Sequence, residues 1–282
     1  MFSLKHNLAR LSLLGMASAA LIGAASAPGQ AAASGIVEVA VDAGVPTVIY
    51  RAGSQATNSA SLTTFNRDGV PHIAVFDTVA LTAGAGCQQL SPRAVTCGPA
   101  AGTAIKRFVA NLGDRNDTFS VGVIFTGIVN GGDGDDSFLA GVKNAQRSAI
   151  IWNGGDGNFD KISYRGSDAA VRVSLENGSD GLEDGRTGDR NSVVGVEELT
   201  GSPFGDDLRG DRRDNRIDDG FVQGVGDNSG DRLSGGDGDD LMFTKDLLAD
   251  QAADCGDGAG DQIFIDRTLD PAPVNCEEIV RQ

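Results

Sequence analysis

Gly131-Gly132-Asp133-Gly134-Asp135-Asp136-Ser137-Phe138-Leu139 and Gly235-Gly236-Asp237-Gly238-Asp239-Asp240-Leu241-Met242-Phe243 are two copies of one nonapeptide. Both place glycine at positions 1, 2 and 4, aspartate at position 6 and a large apolar residue at position 8. Imperfect copies surround them. Leu112 to Ser120 keeps Gly113, Asp117 and Phe119, and Gly154 to Ser163 carries one extra residue before Asp160 and Ile162. Gly201 to Arg209, with Asp206 and Leu208, runs straight into Gly210 to Asp218, with Asn215 and Ile217. Gly226 to Ser234, with Asp231 and Leu233, abuts the second perfect copy, and Cys255 to Ile263 ends the series with one insertion before Asp261. A unit this short cannot bury its own apolar face, so the pattern predicts stacking of turn-and-strand units around a shared core.

The phrase GGxGxDxUx, as it stands at Gly131 and Gly235, resembles the hemolysin-type (repeats-in-toxin) calcium-binding repeat. The resemblance extends in weaker form over most of Val109 to Phe264. It implies an all-β fold, a right-handed parallel β-roll or irregular β-helix, in which two nonapeptides make one coil and turns stack at i and i+18. Glycines permit positive φ, so the turn can aim its carbonyls inward, and the sixth-position aspartate adds a carboxylate to the all-oxygen shell that Ca²⁺ takes. The candidate ligands are Asp117, Gly131, Gly132, Asp133, Gly134, Asp136, Asp160, Asp206, Asp231, Gly235, Gly236, Asp237, Gly238, Asp240 and Asp261. Asp117 with Asp136, and Asp240 with Asp261, are expected to share ions between neighbouring coils. Mg²⁺ suits such a flexible shell less well, because it demands a tight octahedron. Phe119, Phe138, Ile162, Leu208, Ile217, Leu233, Met242 and Ile263 are assigned to the core. The array departs from the family in having no more than two consecutive uninterrupted units and an N-terminal export signal, so no toxin role carries over.

Composition points the same way. Asp and Glu number 39 against 23 Lys and Arg, a formal charge of −16, and glycine contributes 40 of 282 residues. Thirty-two of the acids are aspartates, the residue suited to turns, and only Glu38, Asp42, Asp68 and Asp77 precede residue 101. Such a surface repels a phosphate backbone and an anionic membrane, which excludes a nucleic-acid binder and favours a cation as partner.

Met1 to Ala33 reads as an export signal: Lys5 and Arg10 precede the apolar run Leu11 to Ile22, which is too short to span a bilayer. No later segment is apolar enough for membrane insertion. Export makes the four cysteines disulfide partners, with Cys87–Cys97 and Cys255–Cys276 the favoured pairing of three possible. Residues 34–103 contain short β-branched runs and are expected to form an N-terminal β unit that caps the repeat domain, residues 104–282.

Competing functions have thinner support. No HExxH is present, and a serine-type triad would have to use His72. Paired carboxylates on a parallel β-helix are compatible with a carbohydrate-active lyase or epimerase, but the stacking aromatics are few: Trp152, Tyr50 and Tyr164. Arg209-Gly210-Asp211 spells an adhesin-like tripeptide across a repeat junction. Asp180 to Asn191 half-resembles an EF-hand loop but lacks the closing glutamate, so Ser163 to Thr200 is expected to be a solvated excursion from the array. The expected function is therefore that of a secreted, non-enzymatic calcium-binding module with a structural role, at the cell surface or in the extracellular matrix.

Overall fold

The computed structural model describes residues 33–42, 44–67, 69–99, 104–122, 126–141, 147–176, 184–226 and 229–281. Of the expected export signal only Ala33 is among them. The described residues contain no helix. The first seven strands are β1 (Gly35–Asp42), β2 (Val45–Arg51), β3 (Ser59–Arg67), β4 (Val70–Phe76), β5 (Leu81–Ala83), β6 (Cys87–Ser91) and β7 (Ala94–Cys97). There follow β8 (Arg107–Asp114), β9 (Thr118–Gly122), β10 (Thr126–Asp133), β11 (Ser137–Leu139), β12 (Ala149–Asp156), β13 (Lys161–Ser163), β14 (Val171–Ser174), β15 (Gly185–Arg186), β16 (Ser192–Val194) and β17 (Glu198–Thr200). The last are β18 (Asp207–Arg209), β19 (Arg216–Asp218), β20 (Arg232–Asp237), β21 (Leu241–Phe243), β22 (Ala252–Asp257), β23 (Gln262–Ile265) and β24 (Glu278–Arg281).

These strands form three sheets. The first has the order β16-β12-β10-β8-β2-β1-β5, the second β24-β23-β21-β19-β17-β13-β11-β9-β3-β4-β7-β6, and the third β15-β14-β18-β20-β22. From β8 to β13 the chain alternates between the first and second sheets, and from β18 to β23 between the third and second. Every pairing along the second sheet from β3 to β24 through β9 is parallel. The register aligns the eighth positions into one column, Phe119, Phe138, Ile162, Leu199, Ile217, Met242 and Ile263, all fully buried. Leu208 and Leu233, also assigned to the core, form a corresponding buried column in the third sheet with Val173. Burying a side chain of this size contributes roughly 1.5–3 kcal/mol, so these columns are a principal source of stability.

The circuits are not uniform. The passage from Glu198 in β17 to Arg216 in β19 spans the expected 18 residues, whereas Lys161 to Glu198 takes 37 and Arg216 to Leu241 takes 25. Register is held by the apolar column, and loops away from it absorb the extra length at small entropic cost. This corrects the reading of Ser163 to Thr200 as a solvated excursion. That stretch supplies β14 to β17 and buries Val171, Val173, Leu175, Val193, Val196 and Leu199.

The N-terminal strands adjoin the repeats directly, since β2 pairs with β8 and β3 with β9, both in parallel. Beyond them β4, β6 and β7 run antiparallel to their neighbours, while β1 is antiparallel to β2 and parallel to β5. Cys87 is bonded to Cys97 across β6 and β7, and Cys255 to Cys276 at the other end, with Cα–Cα distances of 4.1 and 5.1 Å.

Candidate metal centre

Each parallel strand of the second sheet from β9 onward is immediately preceded by an acid or an amide: Asp117, Asp136, Asp160, Glu197, Asn215, Asp240, Asp261 and Glu277. This position lies at the edge where the chain enters the sheet, and the register stacks its members. Asp136 Oδ1 accepts the Asp117 amide at 2.8 Å, and Asp160 Oδ1 accepts the Asp136 amide at 2.7 Å. At either end of this series Asp117 accepts from Asn58 N (2.7 Å) and Glu197 from Asp160 N (3.1 Å). A second series joins Asn215 N to Asp240 (2.7 Å), Asp240 N to Asp261 (2.7 Å) and Asp261 N to Glu277 (3.0 Å). The pairs expected to lie together, Asp117 with Asp136 and Asp240 with Asp261, are therefore neighbours, and all four side chains are buried.

A parallel ladder precedes the third sheet. Asp206 accepts from Val171 N (2.7 Å), Asp231 from Asp206 N (2.6 Å), Asp250 from Asp231 N (2.9 Å) and Asp270 from Asp250 N (3.2 Å). The predicted sixth-position aspartates thus divide between two edges. Each bond to a carboxylate is charge-assisted, worth about 1.5–3 kcal/mol, and ties one circuit to the next.

One oxygen of each carboxylate is spent on that bond. In Asp117, Asp136, Asp160, Asp240, Asp250 and Asp261 the other oxygen, Oδ2, is buried without a hydrogen-bond partner, as is Oδ2 of Asp219, whose Oδ1 accepts the amide of Phe221 in its own turn; Asp206 uses both oxygens. Glycine carbonyls crowd the same places. A Cβ on Gly131 would lie 2.1 Å from Asp136 Oδ2 and 2.2 Å from the Gly154 carbonyl oxygen; on Gly235 it would lie 2.2 Å from both Asp240 Oδ2 and the Cys255 carbonyl oxygen. Only glycine admits these oxygens so close to one another. Gly132, Gly134, Gly236 and Gly238 adopt positive φ and lie against the backbone of the preceding circuit. Loss of solvent drives the carboxyls up, only partly offset by the amide bonds: Asp117, Asp136 and Asp240 to about 7, and Asp160 to about 6. Asp261 is raised for the same reason.

The third-sheet edge holds a cluster of which the repeat motif marks only Asp231. Carboxylate oxygens of Asp219, Asp231 and Asp246 all lie within 4.8 Å of one another, and all three residues are buried. Asp219 and Asp246 follow β19 and β21, where the chain leaves the second sheet; Asp231 precedes β20. Burial, then neighbouring carboxylates, raise Asp219 to about 8 and Asp231 to about 9; Asp250 is pushed to about 7 and Asp246 is raised.

Other predicted residues fall elsewhere. Asp133 and Asp237 are exposed and stand apart from the buried rows. Their neighbours Asp135 and Asp239, at the variable fifth position, instead bind the turn of the next circuit, accepting Asn158 N and Phe159 N, and Ala259 N and Gly260 N. His72 contacts the Val70 carbonyl and the Phe65 ring, with no triad around it. Trp152, Tyr50 and Tyr164 are buried in the core. In the adhesin-like tripeptide Arg209 is tied to Asp207, and Asp211 is buried beside Arg213. Of the EF-hand-like loop, 180–183 lie outside the described residues. Asp184 binds the amides of Ser174 and Val193, and Asp189 that of Ser148.

Sequence reading missed Glu197 and Glu277 because glutamate replaces aspartate there. The triplet acid, any residue, apolar residue would have found both, at Glu197-Glu198-Leu199 and Glu277-Glu278-Ile279. No protein-family model matches the chain, and no curated protein matches it.

Proposed function

We propose that this protein is exported and acts as a calcium-responsive structural or cell-surface module, its circuits forming a parallel β-roll or irregular β-helix like that of hemolysin-type repeats. The observation that carries this reading is the set of buried carboxylate oxygens left without a donor at both edges, alongside inward carbonyls. Buried polar atoms are normally paired, and a buried carboxylate left without a partner is costly. An oxygen-only donor set mixing carboxylates with backbone carbonyls fits Ca²⁺. On the second-sheet edge Asp117, Asp136, Asp160, Asp240 and Asp261 would hold it, with the carbonyls of Gly154 and Cys255. On the third-sheet edge Asp219, Asp231, Asp246 and Asp250 would do so. Two disulfides support an oxidising destination.

Calcium bound only by the folded chain stabilises it by about 2.7 kcal/mol per site at a free concentration one hundred times Kd. Titrating Ca²⁺ to millimolar levels into chelated protein is expected to raise Tm and strengthen the far-ultraviolet β-signal, with Mg²⁺ giving a smaller change. A melting curve indifferent to calcium defeats the reading.

A further inference from the structure

Against the charge of the whole chain, one surface is basic. A cleft of about 850 Å³ opens over the third sheet, and its lining includes five arginines. A second depression of about 580 Å³ shares Arg147, Gly188 and Arg190 with it, adds Lys106, and contains no acid. We propose that these two joined depressions bind a linear acidic polysaccharide of the uronate type, whose carboxylates are received by Arg147, Arg190 and Arg232.

The three arginines differ from the others in the cleft. Arg186 is committed to Asp189 and Asp168, and Arg172 faces Asp207. Among the described residues no carboxylate lies within ion-pair distance of Arg147, Arg190 or Arg232, and all three side chains are exposed. In a protein with many more acids than bases, unanswered guanidinium groups gathered in one cleft mark a place for an anion supplied from outside. Of the cleft's three acids, Asp189 and Asp206 are buried and held by backbone amides, so neither competes for them. Gly188 makes the arrangement possible. It adopts φ +88°, and a Cβ there would lie 1.8 Å from Arg147 Nη1, so the guanidinium rests directly on its backbone.

Three features select the ligand. The planar fork of arginine matches a carboxylate bidentately. Two connected depressions of one sign suit a chain of spaced charges better than a single small anion, and their volumes fall in the range of ligand-binding pockets. Thr126, Ser148, Thr187 and Gln251 line them and offer neutral partners to hydroxyls. Neither lining includes an aromatic ring on which a base or a sugar face could stack, so binding rests on arginine–carboxylate pairs and hydroxyl contacts alone. The assignment stands apart from calcium binding, since it uses none of the ladder oxygens left without partners.

The test uses the purified protein, in chelator and separately in Ca²⁺, with labelled hexagalacturonate, read by fluorescence anisotropy at low and moderate salt. Saturable, salt-sensitive binding is expected, with no binding of the same oligosaccharide after its carboxyls are reduced to alcohols. Arg147→Ala combined with Arg190→Ala should weaken binding by about tenfold or more, while Arg93→Ala, in the exposed turn between β6 and β7, should leave it unchanged. Melting curves establish that each variant is folded. Absence of binding by the unaltered protein overturns the proposal, as does equal binding by the double variant or equal binding of the reduced sugar. Tighter binding of heparin or of a single-stranded oligonucleotide assigns the cleft to sulfate or phosphate and overturns it as well.

Discussion

The two edges of the structure carry the same carboxylate-to-amide ladder but differ in how their charge is handled. On the second-sheet edge the acids stand in a single file, one per circuit, and near the middle Arg213 reaches in to Glu197 and lowers the neighbouring Asp160. On the third-sheet edge acids that leave one strand meet acids that enter another, so Asp219, Asp231 and Asp246 converge, and burial together with neighbouring carboxylates drives their rise. The perfect nonapeptides serve the first edge through Asp136 and Asp240. The stronger electrostatic need for a cation therefore lies where the motif is weakest. A repeat signature records backbone geometry, chiefly glycine placement, whereas charge convergence depends on which turns fold back against each other.

The largest consequence concerns pH. Unfolded aspartate titrates near 3.9, whereas burial pushes the folded carboxyls up to about 6–7 along the second sheet and about 7–9 along the third. The folded chain therefore holds protons that the unfolded chain has released. Without divalent cations this contribution to stability is complete below about pH 4 and is lost as pH rises through the folded values. Chelated protein should melt at least about 10 °C higher at pH 5 than at pH 8.5, and calcium should close most of the gap by replacing the protons. Asp136→Asn should remove slope between about pH 4 and 7, and Asp231→Asn slope between about pH 4 and 9, so only the second flattens the profile above pH 7. A profile that both substitutions alter identically would abolish the distinction between the edges.

A smaller effect isolates the converging acids. Asp219→Asn removes one charge from the trio while retaining an oxygen to accept the Phe221 amide. In chelator at pH 8 the variant should be more stable than the parent, because a repulsion has gone. With calcium it should be less stable, by roughly the 2–3 kcal/mol that one occupied site contributes at high saturation. Paired urea titrations with and without calcium measure both signs. If the substitution moves stability in the same direction under both conditions, the trio holds no ion.

Much of this could be read from the chain. The alternation of glycine turn, acid and apolar residue located Phe119, Phe138, Ile162, Ile217, Met242 and Ile263 of the column, though not Leu199, and the buried Asp117, Asp136, Asp240 and Asp261, because periodicity dictates which side chains face inward. Of the three possible cysteine pairings, the favoured one is the one present. What lay beyond reach were relations between circuits of unequal length. Asp219 and Asp246 occur in unlike sequences, Asp219-Gly220-Phe221 and Asp246-Leu247-Leu248, and only the 25-residue circuit brings them together. Asp133 was read as a ligand because it sits in a perfect motif. Regular alternation would put Asp133 on the buried face of Val129 and Gly131, but the positive φ of Gly132 interrupts the strand just before it and leaves Asp133 exposed.

The smallest effect asks whether Arg213 does on one edge what calcium would do on both. Asn215 stands in the ladder where other circuits have an acid, and Arg213 pairs with both Glu197 and Asp211 just before it. A neutral amide and a resident cation together leave this circuit with less negative charge than its neighbours. The guanidinium is partly exposed, so solvent screens the pair and Arg213→Ala should cost no more than about 1 kcal/mol in chelator. Calcium should reduce that cost, because an ion near Asp160 and Glu197 supplies the missing positive charge. Denaturation midpoints measured in both conditions decide the matter: a loss of equal size with and without calcium would show that Arg213 acts only as an ordinary surface partner.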